Sequence, residues 1–185
     1  MGNRRGGNHV HLLGLSASLL GMCSFAWAAS LPSPIAPAGQ GQLQCYTPDV
    51  VRKTCRSLAA YKRTPDGLID NTAIVLIAPN PALVMTTDSP VTIKAGQVCG
   101  FIQPNDIATA AFSLADRPAT AEQTRTLQQK MQLAMKGIFG HEICTDYVPL
   151  RNSFRAKATV DGVAQPTMDE EVIWVQPTDG YKVSP

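Results

Sequence analysis

Side chains from which catalytic and metal sites are usually made are scarce in this chain. Of its 3 histidines, His9 and His11 fall in an amino-terminal stretch that reads as a leader, which leaves His141. No Cys-x-x-Cys pair occurs and no two cysteines stand at zinc-ligand spacing, so a dithiol redox centre and a zinc site are both disfavoured. There is no Gly-x-Ser-x-Gly elbow, and no serine has an evident partner base. Gly96-Gln97-Val98-Cys99-Gly100 lacks the Gly-Lys-Ser/Thr ending of a phosphate loop. Beyond the leader no apolar run is long enough to span a bilayer. Asn71-Thr72-Ala73 and Asn152-Ser153-Phe154 both miss the Asn-x-Ser/Thr pattern of a glycan acceptor. These absences assign no catalytic residue, no cofactor and no metal.

What the chain does have begins with export. Residues 1–28 read as a signal peptide. Arg4 and Arg5 supply the positive start, Val10 to Trp27 is apolar, and Ala26-Trp27-Ala28 is a small-x-small cleavage site. A membrane anchor is the rival, but Gly14, Ser16, Ser18, Gly21 and Ser24 interrupt the apolar run and no basic stop-transfer flank follows. Met22 is too bulky beside Cys23 for a lipoprotein signal. Loss of Arg4 and Arg5 brings the 16 basic residues level with the 14 acidic ones. With no basic excess, nucleic acid is excluded as an expected partner. Residues 29–43, rich in Pro, Ala and Gly, read as a flexible linker, and residues 44–185 as a single domain.

Cys45, Cys55, Cys99 and Cys144 remain after cleavage. An even number in an exported chain points to two disulfides, and sequence alone allows three pairings. Thr47-Pro48-Asp49 is expected to start a short helix reaching Thr54. Helical rise would then hold Cys45 and Cys55 roughly 15 Å apart unless the preceding residues double back.

Strands are expected at Leu58 to Thr64, Ala73 to Ala78, Leu83 to Thr86, Val91 to Lys94, Val98 to Ile102 and Ile107 to Leu114. Turns are expected at Pro65-Asp66-Gly67 and Asp88-Ser89-Pro90. Ala73 to Ala78 is continuously apolar, as for a strand buried on both faces. Thr120, with Gln123 three residues on, signals the start of the main helix. Thr124, Leu127, Met131, Ala134, Met135 and Ile138 then share one face. Phe154, Ala156, Ala158 and Val160 alternate with Arg155, Lys157 and Thr159, giving one buried and one wet strand face. Asp161-Gly162 turns the chain into the strand Glu171 to Gln176.

Residues 44–81 and 119–179 share an order of parts: helix, cysteine, strand, Asp-Gly, apolar strand, proline. Few side chains match, but an internal duplication would produce that order. It would bracket each helix with two cysteines and so favour Cys45–Cys55 with Cys99–Cys144. The fold expected is α+β: a small, mostly antiparallel sheet with one main amphipathic helix packed on it, stapled by disulfides.

Candidate sites are weak. His141 and Glu142 are adjacent, which suits a solvated loop better than an acid–base couple. Asp169-Glu170-Glu171 with Asp161 fits no EF-hand spacing. Trp174 in a β-branched strand suits the core, and Arg151, Arg155 and Lys157 suit a solvated face. The function expected is an exported cell-envelope protein, periplasmic or extracellular, that binds another envelope protein or a polymer through strand edges or loops without catalysis. The alternative is a hydrolase of cell-wall or peptide substrates that uses carboxylates from Glu142, Asp161, Asp169, Glu170 and Glu171, and a thiol-dependent redox role ranks third. Intact mass of the exported chain is expected to match residues 29–185, with four alkylations that appear only after reduction. Alkylation before reduction would return the cysteines to the active part of the molecule.

Overall fold

A computed structural model describes residues 1–2 and 30–185. Most of the expected leader and its cleavage site lie outside the described residues. In chain order the strands are β1 (Leu43–Tyr46), β2 (Thr54–Cys55), β3 (Ser57–Arg63), β4 (Ile69–Pro79), β5 (Ala82–Lys94) and β6 (Gln97–Phe101). A short helix α1 (Pro104–Ala108) precedes β7 (Ala111–Leu114), β8 (Arg117–Pro118) and the main helix α2 (Ala121–Met135). The chain ends with β9 (Glu142–Pro149), β10 (Phe154–Val160), β11 (Val163–Ala164), β12 (Glu170–Val175) and β13 (Lys182–Val183).

The expected α+β arrangement, a small sheet with the main helix packed on it, is not what forms. Strands β4-β3-β1-β12-β10-β9-β6-β5 pair in that order, and β5 pairs back onto β4. The result is a closed, antiparallel, eight-stranded barrel, and the protein is mostly β. Closure rests on pairings between distant segments, β1 with β12 and β6 with β9, which local periodicity does not encode. The main helix has the Thr120–Gln123 capping box expected of it. It nevertheless buries no residue completely, and Leu133 on it is 76% exposed. Its role is therefore not to cover an open sheet.

Strand β5 corrects a second expectation. Asp88-Ser89-Pro90 is not a turn but the middle of one 13-residue strand. The first part of β5 pairs with β7 (Leu83 to Thr86) and the last part with β6 (Val91 to Lys94). Pro90 sits where β5 has β4 alone as neighbour, so its missing N–H breaks no ladder on the other edge. α1 fills that gap, with the Thr87 hydroxyl donating to the Asp106 carbonyl at 3.0 Å. Part of Ile107 to Leu114, expected as one strand, is thus helical, and β7 starts only at Ala111.

β4 is not buried on both faces. Every residue from Asp70 to Ala78 is half-buried. One face carries Ile74, packed near the Cys45–Cys55 cluster. The other carries Asn71, Ala73, Val75 and Ile77, which look into the barrel. The turns at Pro65-Asp66-Gly67 and Asp161-Gly162 form as expected. Asp161 and Gly162 both take positive φ (49° and 78°), the type I′ geometry of a tight hairpin. β10 shows the alternation read from its sequence, with Ala156 and Ala158 buried and Arg155 and Lys157 exposed.

Residues 31–42, read above as linker, close one end of the barrel. A short 3-10 helix spans Ala36–Gln40, and Leu31, Ile35 and Ala38 are buried. They pack against Ala59, Tyr61, Ile69 and Val98. Burial of these few apolar residues overrides the spacer-like composition. The opposite end carries a second cluster, in which Met85, Ile107, Ala110 and Phe112 meet Leu127, Met131 and Met135 of α2.

Disulfides join Cys45 to Cys55 and Cys99 to Cys144, an arrangement compatible with an oxidising location. The geometry behind the first differs from that expected. No helix lies between Cys45 and Cys55; a turn bridged by Asp49 and Thr54 brings their Cα atoms to 5.4 Å. The first block of the suggested duplication therefore lacks its helix. Cys99 and Cys144 face each other directly across β6 and β9. On loop-closure entropy alone, removing Cys99–Cys144 (sequence separation 45) is expected to cost about 4 kcal/mol. Removing Cys45–Cys55 (separation 10) is expected to cost about 3 kcal/mol. Denaturant unfolding of the two double Cys→Ala variants checks both the size and the order.

Candidate functional site

The barrel contains a cavity of about 370 Å³. Its origin lies in the inward-facing positions of the wall. Register pairs Asn71 with Ser89, Ala73 with Thr87 and Val75 with Met85 across β4 and β5. Val91 faces Gly100 across β5 and β6. Alternate residues along a strand share a face, and here that face carries mostly small side chains. An eight-stranded barrel is just wide enough to be filled by its own side chains or to hold one small ligand. Alanine, serine, threonine and glycine at these positions leave it unfilled.

One end of the cavity is polar. Gln44 is buried, 1% exposed, at the centre of a tyrosine cluster. Its Oε1 lies 2.8 Å from the Tyr61 hydroxyl, 2.9 Å from that of Tyr46 and 3.2 Å from that of Tyr147. The Tyr46 and Tyr147 hydroxyls are 2.5 Å apart. A carbonyl oxygen has two lone pairs, so the shortest set has Tyr46 and Tyr61 donating to Gln44 and Tyr147 donating to Tyr46. Asn71, beside this cluster, donates from Nδ2 to the Ala60 carbonyl at 3.3 Å. Burial pushes the hydroxyl pKa of Tyr46 and Tyr61 well up, and their mutual proximity to Tyr147 adds to the rise. Burial also raises that of Tyr147, while its side-chain hydrogen bonding with Tyr46, Tyr61 and Gln44 works in the lowering direction.

The other end is apolar. Ile77, Met85, Ile102 and Ile107 form the wall, and Met131 and Met135 of α2 lie across it. These methionines are half-buried because one side of each looks into the cavity. Among the described residues, the single carboxylate on the cavity wall is Asp106, and its Oδ2 accepts from the Gln103 N–H at 2.8 Å to cap α1.

The residues singled out from sequence lie elsewhere. His141 Nδ1 is 2.6 Å from Asp161 Oδ2 on an exposed hairpin end. That hydrogen bond, followed by one from the Glu142 N–H, lowers the Asp161 carboxyl pKa. Glu142 itself pairs with Lys94. Asp169 Oδ1 accepts from the Ala158 N–H at 3.3 Å, and Glu170 accepts from Arg56 at 3.5 Å. Glu171 is exposed and stands opposite Arg155, while Lys157 stands opposite Asp146. Opposite charges across neighbouring strands balance the basic face read from Arg155 and Lys157. None of the five carboxylates lines the cavity. Trp174 packs in the barrel core beside the amino-terminal segment. Among the described residues no group of three or more His, Cys, Asp or Glu could hold a metal.

Sequence reasoning passed over Gln44, Tyr46, Tyr61 and Tyr147. The available signal was an amide at an inward position, flanked by Leu43 and Cys45, together with tyrosines on apolar strands. Because the folded-state values of the three tyrosines lie above that of the unfolded chain, their contribution to stability is complete below about pH 10. It is lost as pH rises through the folded values. An alkaline titration is expected to show tyrosinate absorbance of the three clustered tyrosines rising together with loss of circular dichroism. Their ionisation in an intact barrel would contradict the cluster.

No protein-family model matches this chain, and neither does any curated protein or solved structure.

Proposed function

We propose that this chain is an exported binding protein that carries one small, largely apolar molecule inside its barrel. The observation that supports this reading is the cavity itself. Its wall is built of small and apolar side chains, a few convergent polar groups lie at one end, and a loosely seated helix lies at the other. This is the usual composition of a small-molecule site. The leader read from sequence supports export, and the two disulfides are compatible with it.

A lumenal ligand also suits the topology better than docking through strand edges. Closing the ring leaves none of its eight strands as an edge strand. What remains outside the ring is short: β2, β8, β11 and β13 have two residues each and β7 has four. The carboxylates considered for hydrolysis are each engaged with or face a basic or backbone partner, and none of them lines the cavity.

The test is binding of the neutral fluorescent probe N-phenyl-1-naphthylamine to the full chain with its disulfides intact. Saturable binding of about one probe per chain is expected. Ala73→Phe and Ser89→Phe, each placing a ring in the lumen, are expected to weaken it at least tenfold with unchanged circular dichroism. Undiminished binding in both folded variants would put the probe on the outer surface and end this reading.

A further inference from the structure

We infer that the lumen selects an uncharged ligand with a hydrogen-bond donor at one end, of the chemical class of a medium-chain alcohol. This rests on the lumen reading of the preceding subsection.

The charge argument comes first. Among the described residues, no lysine, arginine or histidine lines the cavity, and the one carboxylate on its wall, Asp106, belongs to the α1 cap. A carboxylate head taken into this space would lose its hydration with no cation to replace it, and it would share the space with Asp106. Burial of an unpaired charge is among the most costly events available to a protein site. An ammonium head has Asp106 alone to pair with, at the apolar end beside Ile107.

The hydrogen-bond argument gives the head group. The three tyrosine protons are committed within the cluster, two to Gln44 Oε1 and one to Tyr46. Thr87 gives its proton to the Asp106 carbonyl, and Asn71 gives one of its amide protons to Ala60. What these five side chains can still offer a ligand is dominated by oxygen lone pairs. Ser89 and Thr145 can donate or accept. At the tyrosine hydroxyls themselves an acceptor-only head would have to take a proton from an existing bond and is left with the second Asn71 amide proton, Ser89 and Thr145, whereas a hydroxyl head finds phenolic acceptors ready as well. The donor end is thereby placed at the tyrosine cluster, and the apolar remainder runs toward Met85, Met131 and Met135.

Size follows from volume. A cavity of about 150 Å³ holds benzene, so 370 Å³ corresponds to a ligand of roughly fifteen heavy atoms.

The experiment is displacement of N-phenyl-1-naphthylamine from the full chain at neutral pH by four ligands of equal chain length: 1-decanol, decyl methyl ether, decanoate and decylammonium. Decanol is expected to displace the probe at a concentration at least tenfold lower than decanoate or decylammonium, and at least threefold lower than the ether. Decanoate equal to or better than decanol would overturn the choice of an uncharged ligand. Decylammonium better than decanol, with the advantage lost in Asp106→Asn, would overturn it in favour of a cation. An ether equal to decanol would overturn the donor head. Absence of any probe binding would instead defeat the lumen reading on which this one rests.

Discussion

The pairing of β4 with β5 is the constraint on which the rest of the molecule depends. These are the two longest strands, and their ladder runs from Ile69 opposite Val91 to Pro79 opposite Ala82. It does two things at once. Its lower part closes the ring, because β3 holds the outer edge of β4 and β6 holds the outer edge of β5. Its upper part rises beyond β6 and gives β7 a place to pair. Without that ladder the remaining strands would form an open sheet with two free edges, and no lumen would exist. The irregularity between Leu76 and Ala78 falls in the upper part, where a bulge bends a strand and increases its twist.

The barrel then has two different ends. At one, the chain's own residues 31–40 enter, and the space is filled by Ile35 and Leu31 against Tyr61 and Ile69. At the other, α2 lies over the apolar wall with no residue fully buried. The difference is one of packing. Aliphatic and aromatic side chains interdigitate at the first end, while two flexible thioethers, suited to irregular gaps, meet an incompletely filled space at the second. The tyrosine–glutamine cluster lies where the filled part gives way to the empty part. Gln44 accepts hydroxyl protons there and satisfies a polar group that would otherwise be costly to bury.

Much of the secondary structure was legible in the sequence, and the architecture was not. The Thr120–Gln123 capping box, the alternation of Phe154 to Val160 and the turns at Gly67 and Gly162 are local signals, and each was read from neighbouring residues. Ring closure is a relation between Cys99 and Cys144, or between Gln44 and Trp174, and no window along the chain contains both partners. Local reading misled in three places. Pro90 reads as a turn because prolines usually interrupt strands, yet a strand with a neighbour on one edge alone admits it. Ala73 to Ala78 reads as doubly buried, yet a cavity accepts apolar residues as readily as a packed core does. Leu31 to Gln42 reads as a spacer by composition, yet a few apolar residues suffice to seal a barrel end. The site was missed for the same reason as the fold, since Gln44, Tyr61 and Tyr147 are far apart until the strands close.

The chain leaves the ring at Phe101 and re-enters at Glu142, and these two residues are register partners. Everything between them, α1 through α2, is therefore an insertion between adjacent strands whose ends are already held together, two residues away, by Cys99–Cys144. Such an insertion is modular. It can be lengthened, shortened or exchanged without changing the circumference of the ring or the order of its strands. The ring of eight strands and the insertion, which brings Ile102, Ile107, Met131 and Met135 to the apolar end of the cavity, are thus distinct units of variation: a change in the insertion retunes that end while the closed framework below stays as it is.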